Sequence, residues 1–185
     1  MDFKAELYRL LKERSFRFGD FTLTSGKKSS YYFDGKLTTL HPRGAHLVGN
    51  AYLNLMEREK VEAEAIGGLV IGADPICVAV SYASYLRGGS IEAFLVRKEA
   101  KKHGLQQWIE GPFLEEGTPV AVVDDVLTSG GSLLTAIDRS RKAGAVVVGA
   151  LVVVDREEGG RAAVEAGLGG APLISLFTAS ELLAE

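Results

Sequence analysis

The stretch that decides the fold is residues 120–132, which read VAVVDDVLTSGGS. Its apolar start predicts a buried strand, the adjacent acids Asp124 and Asp125 follow, and a loop rich in hydroxyls and glycine leads into a helix. Glycines let backbone N–H groups approach an anion closely, and the N-terminus of the next helix adds positive potential. The segment therefore predicts a phosphate-binding loop at the end of a strand.

The side chains of this loop suit a phosphorylated sugar. The hydroxyls of Thr128, Ser129 and Ser132 can donate hydrogen bonds to phosphate oxygens, and paired carboxylates can accept them from a sugar diol. A plain N-capped turn uses the same residue types, but capping alone does not explain two acids beside an anion loop. No lysine follows the glycines, so the segment is not a Walker A loop.

Apolar strands and helices alternate on both sides of this loop. Strands are predicted at residues 65–70, 91–96, 120–123, 146–154 and 173–176. Helices are predicted at residues 75–86, 131–143, 157–166 and 180–183, with Gly144 at a helix C-terminus and capping-box spacing between Thr178 and Glu181. This alternation predicts a mostly parallel sheet flanked by helices, with ligands bound beyond the carboxyl ends of its strands.

The N-terminal part adds a small unit to this sheet. Residues 3–11 have helical spacing, residues 16–34 are aromatic and β-branched as in a hairpin, and Pro42 can begin a further helix. With no repeat or linker visible, we expect one domain over residues 1–185, with a small hood within about residues 1–40.

Composition excludes several function classes. The 185 residues are 46% hydrophobic and carry a net charge of -3. The protein as a whole therefore has no positive electrostatic potential that would attract nucleic acid. The start of the chain is not a signal peptide, and the apolar run 145–154 suits a buried strand and is too short to span a membrane as a helix. The lone Cys77 lies in an apolar run that predicts burial, and a single cysteine fits a cytoplasmic protein.

The 120–132 segment resembles the signature that binds 5-phosphoribosyl 1-diphosphate (PRPP) in type I phosphoribosyltransferases. The resemblance implies their α/β fold, with a hood and a flexible catalytic loop. It implies that Asp124 and Asp125 hold the ribose hydroxyls, and that Mg²⁺ accompanies PRPP, bound mainly by PRPP and water. It also assigns the 5-phosphate to the loop residues Val126, Leu127, Thr128, Ser129, Gly130, Gly131 and Ser132.

Two further segments resemble orotate phosphoribosyltransferases specifically. Residues 21–34 resemble their hood, which implies that Tyr32 and Phe33 line the base pocket with Thr128; ordinary hairpin packing is the alternative. Residues 152–160, VVVDREEGG, end a strand in a charged tip. There Arg156 can offer a planar fork to the carboxylate of orotate, which purine bases lack; a surface ion-pair turn is the alternative.

A third segment, residues 97–104 (the basic segment), reads RKEAKKHG. Such a run is usually a solvated face or a weak nucleic-acid patch, and one short run on an acidic chain argues against the second. The run resembles the catalytic loop of the orotate enzymes and suits a lid over residues 97–111. The resemblance implies a homodimer in which Lys98 serves its own subunit, while Arg97, Lys101 and His103 serve the partner's site. Catalytic roles would fall to Lys98, Lys101, His103 and Asp125.

The sequence departs from the pattern of the orotate enzymes at two places, and two other functions are alternatives. Thr24 stands where many bacterial relatives have a lysine, which Lys27 could replace, and Ile71-Gly72 stands where some have a Tyr-Lys pair. The rivals are a purine or uracil phosphoribosyltransferase and a regulator that binds PRPP. The charged tip and the hood argue against the first, and the lack of a strong basic face argues against the second.

Overall fold

A computed structural model describes residues 1–22, 28–100 and 108–184 of the chain. The helices are α1 Phe3–Arg14, α2 Lys36–Thr39, α3 Pro42–Glu59, α4 Asp74–Leu86, α5 Gly131–Lys142, α6 Gly160–Leu168 and α7 Ala179–Leu183. The strands are β1 Phe16–Thr22, β2 Lys28–Phe33, β3 Ala65–Leu69, β4 Glu92–Val96, β5 Ile109–Glu110, β6 Pro119–Leu127, β7 Val146–Asp155 and β8 Leu173–Thr178. Within those ranges, no helix combines the length and apolar character that crossing a membrane requires.

The central sheet has six strands in the order β5-β4-β3-β6-β7-β8. All neighbours are parallel except β5, which runs antiparallel to β4 at the edge. Val122 of β6 lies opposite Gly67 of β3 on one side and Ala150 of β7 on the other. The predicted mostly parallel sheet is therefore confirmed, with β6 near its centre.

Helices cover both faces of the sheet and enclose two apolar clusters. Because successive side chains of a strand point to opposite faces, Ala121 and Val123 of β6 join one cluster with α1, α3 and α4. Val120 and Val122 of β6 join the other, with α5 and α6. The strand that leads into the phosphate loop is thus packed on both sides.

The predicted N-terminal hairpin is confirmed, as β1 and β2 pair antiparallel. The rings of Phe16 and Phe33 lie 4.8 Å apart, and both side chains are buried. Below the hairpin, the buried hydroxyls of Ser15 and Thr38 form a 2.7 Å hydrogen bond. This bond attaches the start of β1 to α2, a short helix that we did not predict.

Two boundaries differ from the sequence prediction by three residues or more, and one strand was missed. Strand β6 continues to Leu127, so Asp124 and Asp125 lie within it and not beyond its end. Helix α6 begins at Gly160, since Glu157 and Gly159 adopt left-handed φ angles of 59° and 94° that a helix does not accept. Edge strand β5 was not predicted. The C-terminal capping box is confirmed, and Gly144, with φ of 98°, follows the C-cap of α5 as expected.

Candidate active site

The predicted phosphate loop encloses a small cavity at the carboxyl end of β6. Its volume is about 40 Å³, and it is lined by Asp124 and by the residues from Val126 to Leu133. Gly130 caps α5 with a left-handed φ of 82°, a conformation that favours glycine. A larger cavity of about 450 Å³, beside α1 and Phe177, shares none of these residues. The structure therefore brings the predicted phosphate ligands together around one anion-sized space.

The turn before α6 braces this loop from behind. The Gly160 N–H donates a hydrogen bond of 3.0 Å to the Thr128 carbonyl, and the Arg156 N–H donates one of 2.9 Å to the Leu127 carbonyl. A Cβ at Gly160 would lie 2.2 Å from the Thr128 oxygen, which is far inside contact distance. The charged tip is thus also a support for the phosphate loop, a role that the sequence analysis missed.

The acid pair is buried beside the loop, with 7% of Asp124 and 6% of Asp125 exposed. The Asp125 N–H donates a 2.9 Å hydrogen bond to Asp124 Oδ1. Burial, and after it the negative charge of Asp125, raises the pKa of Asp124 to about 7. A carboxyl with this pKa exchanges its proton near neutral pH, which is unusual for a structural acid.

Lys36 forms an ion pair with the acid pair, a contact that was not predicted from the sequence. Its Nζ lies 2.8 Å from Asp125 Oδ2 and 3.6 Å from Asp34 Oδ1. Burial lowers the pKa of Lys36, but its hydrogen bond and charge interaction with Asp125, together with the Asp34 charge, outweigh burial and raise it. The partners are separated by 89 positions in the sequence, so no local pattern points to the pair.

Two glycines allow the surrounding backbone to close on the acids. A Cβ at Gly72, in the loop after β3, would lie 2.6 Å from Asp125 Oδ1 and 2.8 Å from Asp124 Oδ1. A Cβ at Gly35 would lie 3.3 Å from Asp125 Oδ2. The peptide bond between Val70 and Ile71 in the same loop is cis. The acid pair therefore lies where β6, the β3 loop and the hairpin meet.

The donor set fits a cation that is shared with a ligand. No group of three or more His, Cys, Asp or Glu side chains that could hold a metal occurs in the described ranges. Mg²⁺ is typically bound by one or two carboxylates, with substrate phosphates and water filling its other positions. The Asp124–Asp125 pair beside a phosphate loop could supply the carboxylates of such a site.

Arg156 lies at the end of β7, and 13% of its side chain is exposed. Its Nη2 pairs with Glu158 Oε1 at 3.0 Å, and its guanidinium carbon lies 5.4 Å from the Tyr31 ring centroid. Its Nε is buried without a hydrogen-bond partner among the described residues. The guanidinium thus retains a donor for an acceptor that the described part of the chain does not supply.

The structure separates the two aromatic residues predicted to line the base pocket. Phe33 is buried in the core against Phe16, whereas Tyr32 is exposed and packs against Phe21 at 5.8 Å. They point to opposite faces because they are neighbours in β2. Tyr31, the preceding residue of β2, packs on the Phe16 ring at 5.7 Å, and the Arg156 guanidinium lies over the Tyr31 ring.

Only the two ends of the predicted lid are described. Lys98 is exposed at the end of β4, and Arg97 Nη1 pairs with Glu110 Oε1 at 2.7 Å. The predicted lid limit at residue 111 is wrong, because Ile109 is buried and forms β5 with Glu110. Lys101 and His103, like Thr24 and Lys27, lie outside the described residues.

Comparison with known proteins identifies the fold. The family model for the phosphoribosyl transferase domain matches residues 75–165. The orotate phosphoribosyltransferase of Thermosynechococcus vestitus is 50% identical over 181 residues, covering 98% of this chain and 93% of the relative.

Two solved structures of the orotate phosphoribosyltransferase of Mycobacterium tuberculosis H37Rv are also similar. The complex with Fe(III) dicitrate has a TM-score of 0.87 at 38% identity and covers 98% of this chain and 99% of its own. The complex with PRPP has a TM-score of 0.81 at 36% identity, with coverage of 97% and 98%. With its phosphate loop, its acid pair and a relative that is half identical over nearly the whole length, this chain belongs to the orotate phosphoribosyltransferase family.

Proposed function

We propose that the protein transfers ribose 5-phosphate from PRPP to a ring nitrogen of orotate, giving orotidine 5′-monophosphate and diphosphate for pyrimidine biosynthesis. The observation that carries the proposal is the buried Asp124–Asp125 pair next to the phosphate loop, with Arg156 at the end of the adjacent strand. The PRPP complex of the Mycobacterium tuberculosis relative supports PRPP as donor.

The donor would be bound by residues of one strand and the turn after it. Backbone N–H groups and hydroxyls of residues 126–132 would hold the 5-phosphate at the start of α5, where the helix dipole favours an anion. The Asp124 and Asp125 carboxylates would accept hydrogen bonds from the ribose hydroxyls. Since Lys36 already donates to Asp125 Oδ2 at 2.8 Å, the position of that carboxylate is fixed beside the phosphate loop.

The acceptor would be recognised through its carboxylate. Arg156 would exchange its contact with Glu158 for the orotate carboxylate and use its unpartnered Nε as well. Tyr31 would support the guanidinium plane from the hairpin side. Base contacts by Tyr32, Phe33 and Thr128 stay predictions, and the burial of Phe33 favours a supporting role for it.

Departure of the diphosphate would depend on cations. In a transition state where charge builds on the leaving group, catalysis consists mainly of positioning and electrostatic stabilisation. Lys98 would stabilise that charge, with Arg97, Lys101 and His103 of the basic segment contributing from a neighbouring subunit. Mg²⁺ bound with PRPP, near Asp124 and Asp125, would neutralise phosphate charge.

The surface of α4 supports the homodimer that this arrangement needs. Val78, Tyr82, Tyr85 and Leu86 are each at least 60% exposed and repeat at helical spacing. An apolar stripe of this kind is typical of a surface that another protein covers. A cytoplasmic setting is part of the proposal and is supported by the buried, unpaired thiol of Cys77.

A substrate panel tests the proposal. Purified protein with PRPP and Mg²⁺ is offered orotate, uracil, adenine, guanine and hypoxanthine, and consumption of each base is followed. We expect orotate to be consumed far faster than the others. Comparable rates with uracil would refute the role of Arg156, turnover of a purine would favour that rival enzyme, and PRPP binding without turnover of any base would favour a regulator.

A further inference from the structure

The side chain of Arg139 contacts the chain at the start of the basic segment and again just beyond its end, at Trp108. Arg139 of α5 donates hydrogen bonds to the Arg97 carbonyl through Nη1 and to the Lys98 carbonyl, at 3.2 Å, through Nη2. Its guanidinium carbon lies 3.9 Å from the centroid of the Trp108 ring, close enough for stacking. The Arg97 N–H joins the two ends directly by donating to the Trp108 carbonyl at 2.9 Å.

The helix that carries Arg139 is the one that begins at the phosphate loop. Arg139 is eight positions after Gly131, the first residue of α5, which places the two about 12 Å apart along the helix axis. The buried residues Leu133, Ala136 and Ile137 between them fix α5 against the sheet. A rigid element therefore connects the phosphate loop to the start of the basic segment.

We propose that Arg139 is a positioning residue that fixes Lys98 relative to the phosphate loop. The inference rests on the proposed function, because Lys98 matters only if diphosphate leaves near it. Arg139 does not touch the acid pair or the loop cavity among the described residues. Arg139 holds the backbone carbonyls of Arg97 and Lys98. The position of the Lys98 backbone sets the point from which its side chain extends.

The chemistry of the contact requires arginine. The planar guanidinium can donate to two carbonyls while its face stacks on an indole ring, whereas the compact ammonium of lysine cannot do both. Lysine at this position would keep the charge and lose the geometry. Arg139→Lys therefore distinguishes a role in positioning from a role of positive charge alone.

The same helix offers a matched control two residues further on. Arg141 also donates to two backbone carbonyls, those of Gly167 at 2.7 Å and Leu168 at 2.9 Å. Those carbonyls belong to the end of α6 and not to the basic segment. Arg141→Gln thus removes a contact of the same kind without affecting Lys98.

The experiment compares Arg139→Gln, Arg139→Lys and Arg141→Gln with the wild-type enzyme under PRPP, orotate and Mg²⁺. We expect both Arg139 variants to lose about tenfold in kcat, with the KM for PRPP changed by less than about threefold. We expect Arg141→Gln to keep wild-type kcat per folded molecule. Trp108, the single tryptophan of the chain, should change its fluorescence in the Arg139 variants only.

A further variant keeps the test decisive if Arg139→Gln folds poorly. Trp108→Leu removes the stacking partner and leaves the two carbonyl acceptors, so it should lower kcat by a smaller factor. The double variant should be no slower than Arg139→Gln alone, because the two residues act as one unit.

Three results would overturn the inference, and only the third would also refute the proposed function. An active wild-type enzyme whose Arg139→Gln variant matches Arg141→Gln in kcat would refute this inference alone. Recovery of wild-type kcat by Arg139→Lys would also refute it, since charge and not geometry would be the cause. A wild-type enzyme without orotate turnover would instead refute the proposed function, and the positioning role would fall with it.

Discussion

Replacing Asp124 by asparagine should stabilise the ligand-free protein at alkaline pH while it weakens the use of PRPP. Burial and the neighbouring Asp125 charge raise the pKa of Asp124 from 3.8 to about 7. Between these two values the folded chain holds a proton that the unfolded chain has released. Stability therefore falls as the pH rises through this window, and it stays reduced above it.

The magnitude follows from the displacement of the pKa. Each tenfold change in proton affinity is worth about 1.4 kcal/mol, so a pKa moved from 3.8 to about 7 destabilises the folded, ionised form by about 4 kcal/mol. Asparagine removes this charge at every pH. It retains an acceptor oxygen for the Asp125 N–H that now bonds to Asp124 Oδ1, so the backbone geometry should persist.

Urea denaturation followed by circular dichroism measures the effect. Relative to wild type, we expect Asp124→Asn to gain about 2–4 kcal/mol at about pH 8.5 and less than about 0.5 kcal/mol at about pH 4. Asp138→Asn is the control, because that carboxylate is exposed and pairs only with Lys142 in α5 among the described residues; its effect should stay within about 0.5 kcal/mol. An Asp124→Asn protein no more stable than wild type at alkaline pH would refute the reasoning.

Three other predictions concern the same site. Gly160→Ala should raise the KM for PRPP and lower stability by about 1–3 kcal/mol, because its Cβ would force the Thr128 carbonyl to move; denaturation and kinetics at varied PRPP check both effects. Lys36→Met should remove the partner of Asp125 and raise the KM for PRPP severalfold, while an unchanged KM would show that the pair is only structural. Inactive Lys101→Ala and Asp125→Asn proteins, mixed and re-paired, should recover about a quarter of wild-type activity if sites are shared; no recovery, with heterodimers confirmed by mass spectrometry, would mean that each basic segment serves its own subunit.

Much of the fold could be predicted because its signals are local. The apolar strands, the helix after Pro42, the glycine after α5 and the Thr178–Glu181 capping box all depend on residues close in sequence. The elements that were missed, α2 and β5, have four and two residues, which is too short for a periodicity to appear. The extension of β6 through Asp124 and Asp125 was missed because polar residues ordinarily end a buried strand.

The site could be predicted where it is continuous and not where it depends on tertiary contacts. The phosphate loop is one segment of chain, and its predicted residues do line one cavity. The Lys36–Asp125 pair and the Arg139–Trp108 stack join distant positions, so only the packed structure reveals them. Tyr31 and Phe33 share the face of β2 that packs on Phe16, and Tyr32 lies on the other; the sequence could not assign these faces because they depend on what the hairpin packs against.

The placement of the acid pair inside a strand has a thermodynamic consequence for ligand binding. A binding residue on a loose loop loses about 1–2 kcal/mol of backbone conformational entropy when its ligand immobilises it. Asp124 and Asp125 lose that freedom earlier, when the chain folds, since both are members of strand β6. Calorimetry of ribose phosphate binding should therefore show little of the unfavourable entropy that accompanies the ordering of a binding loop.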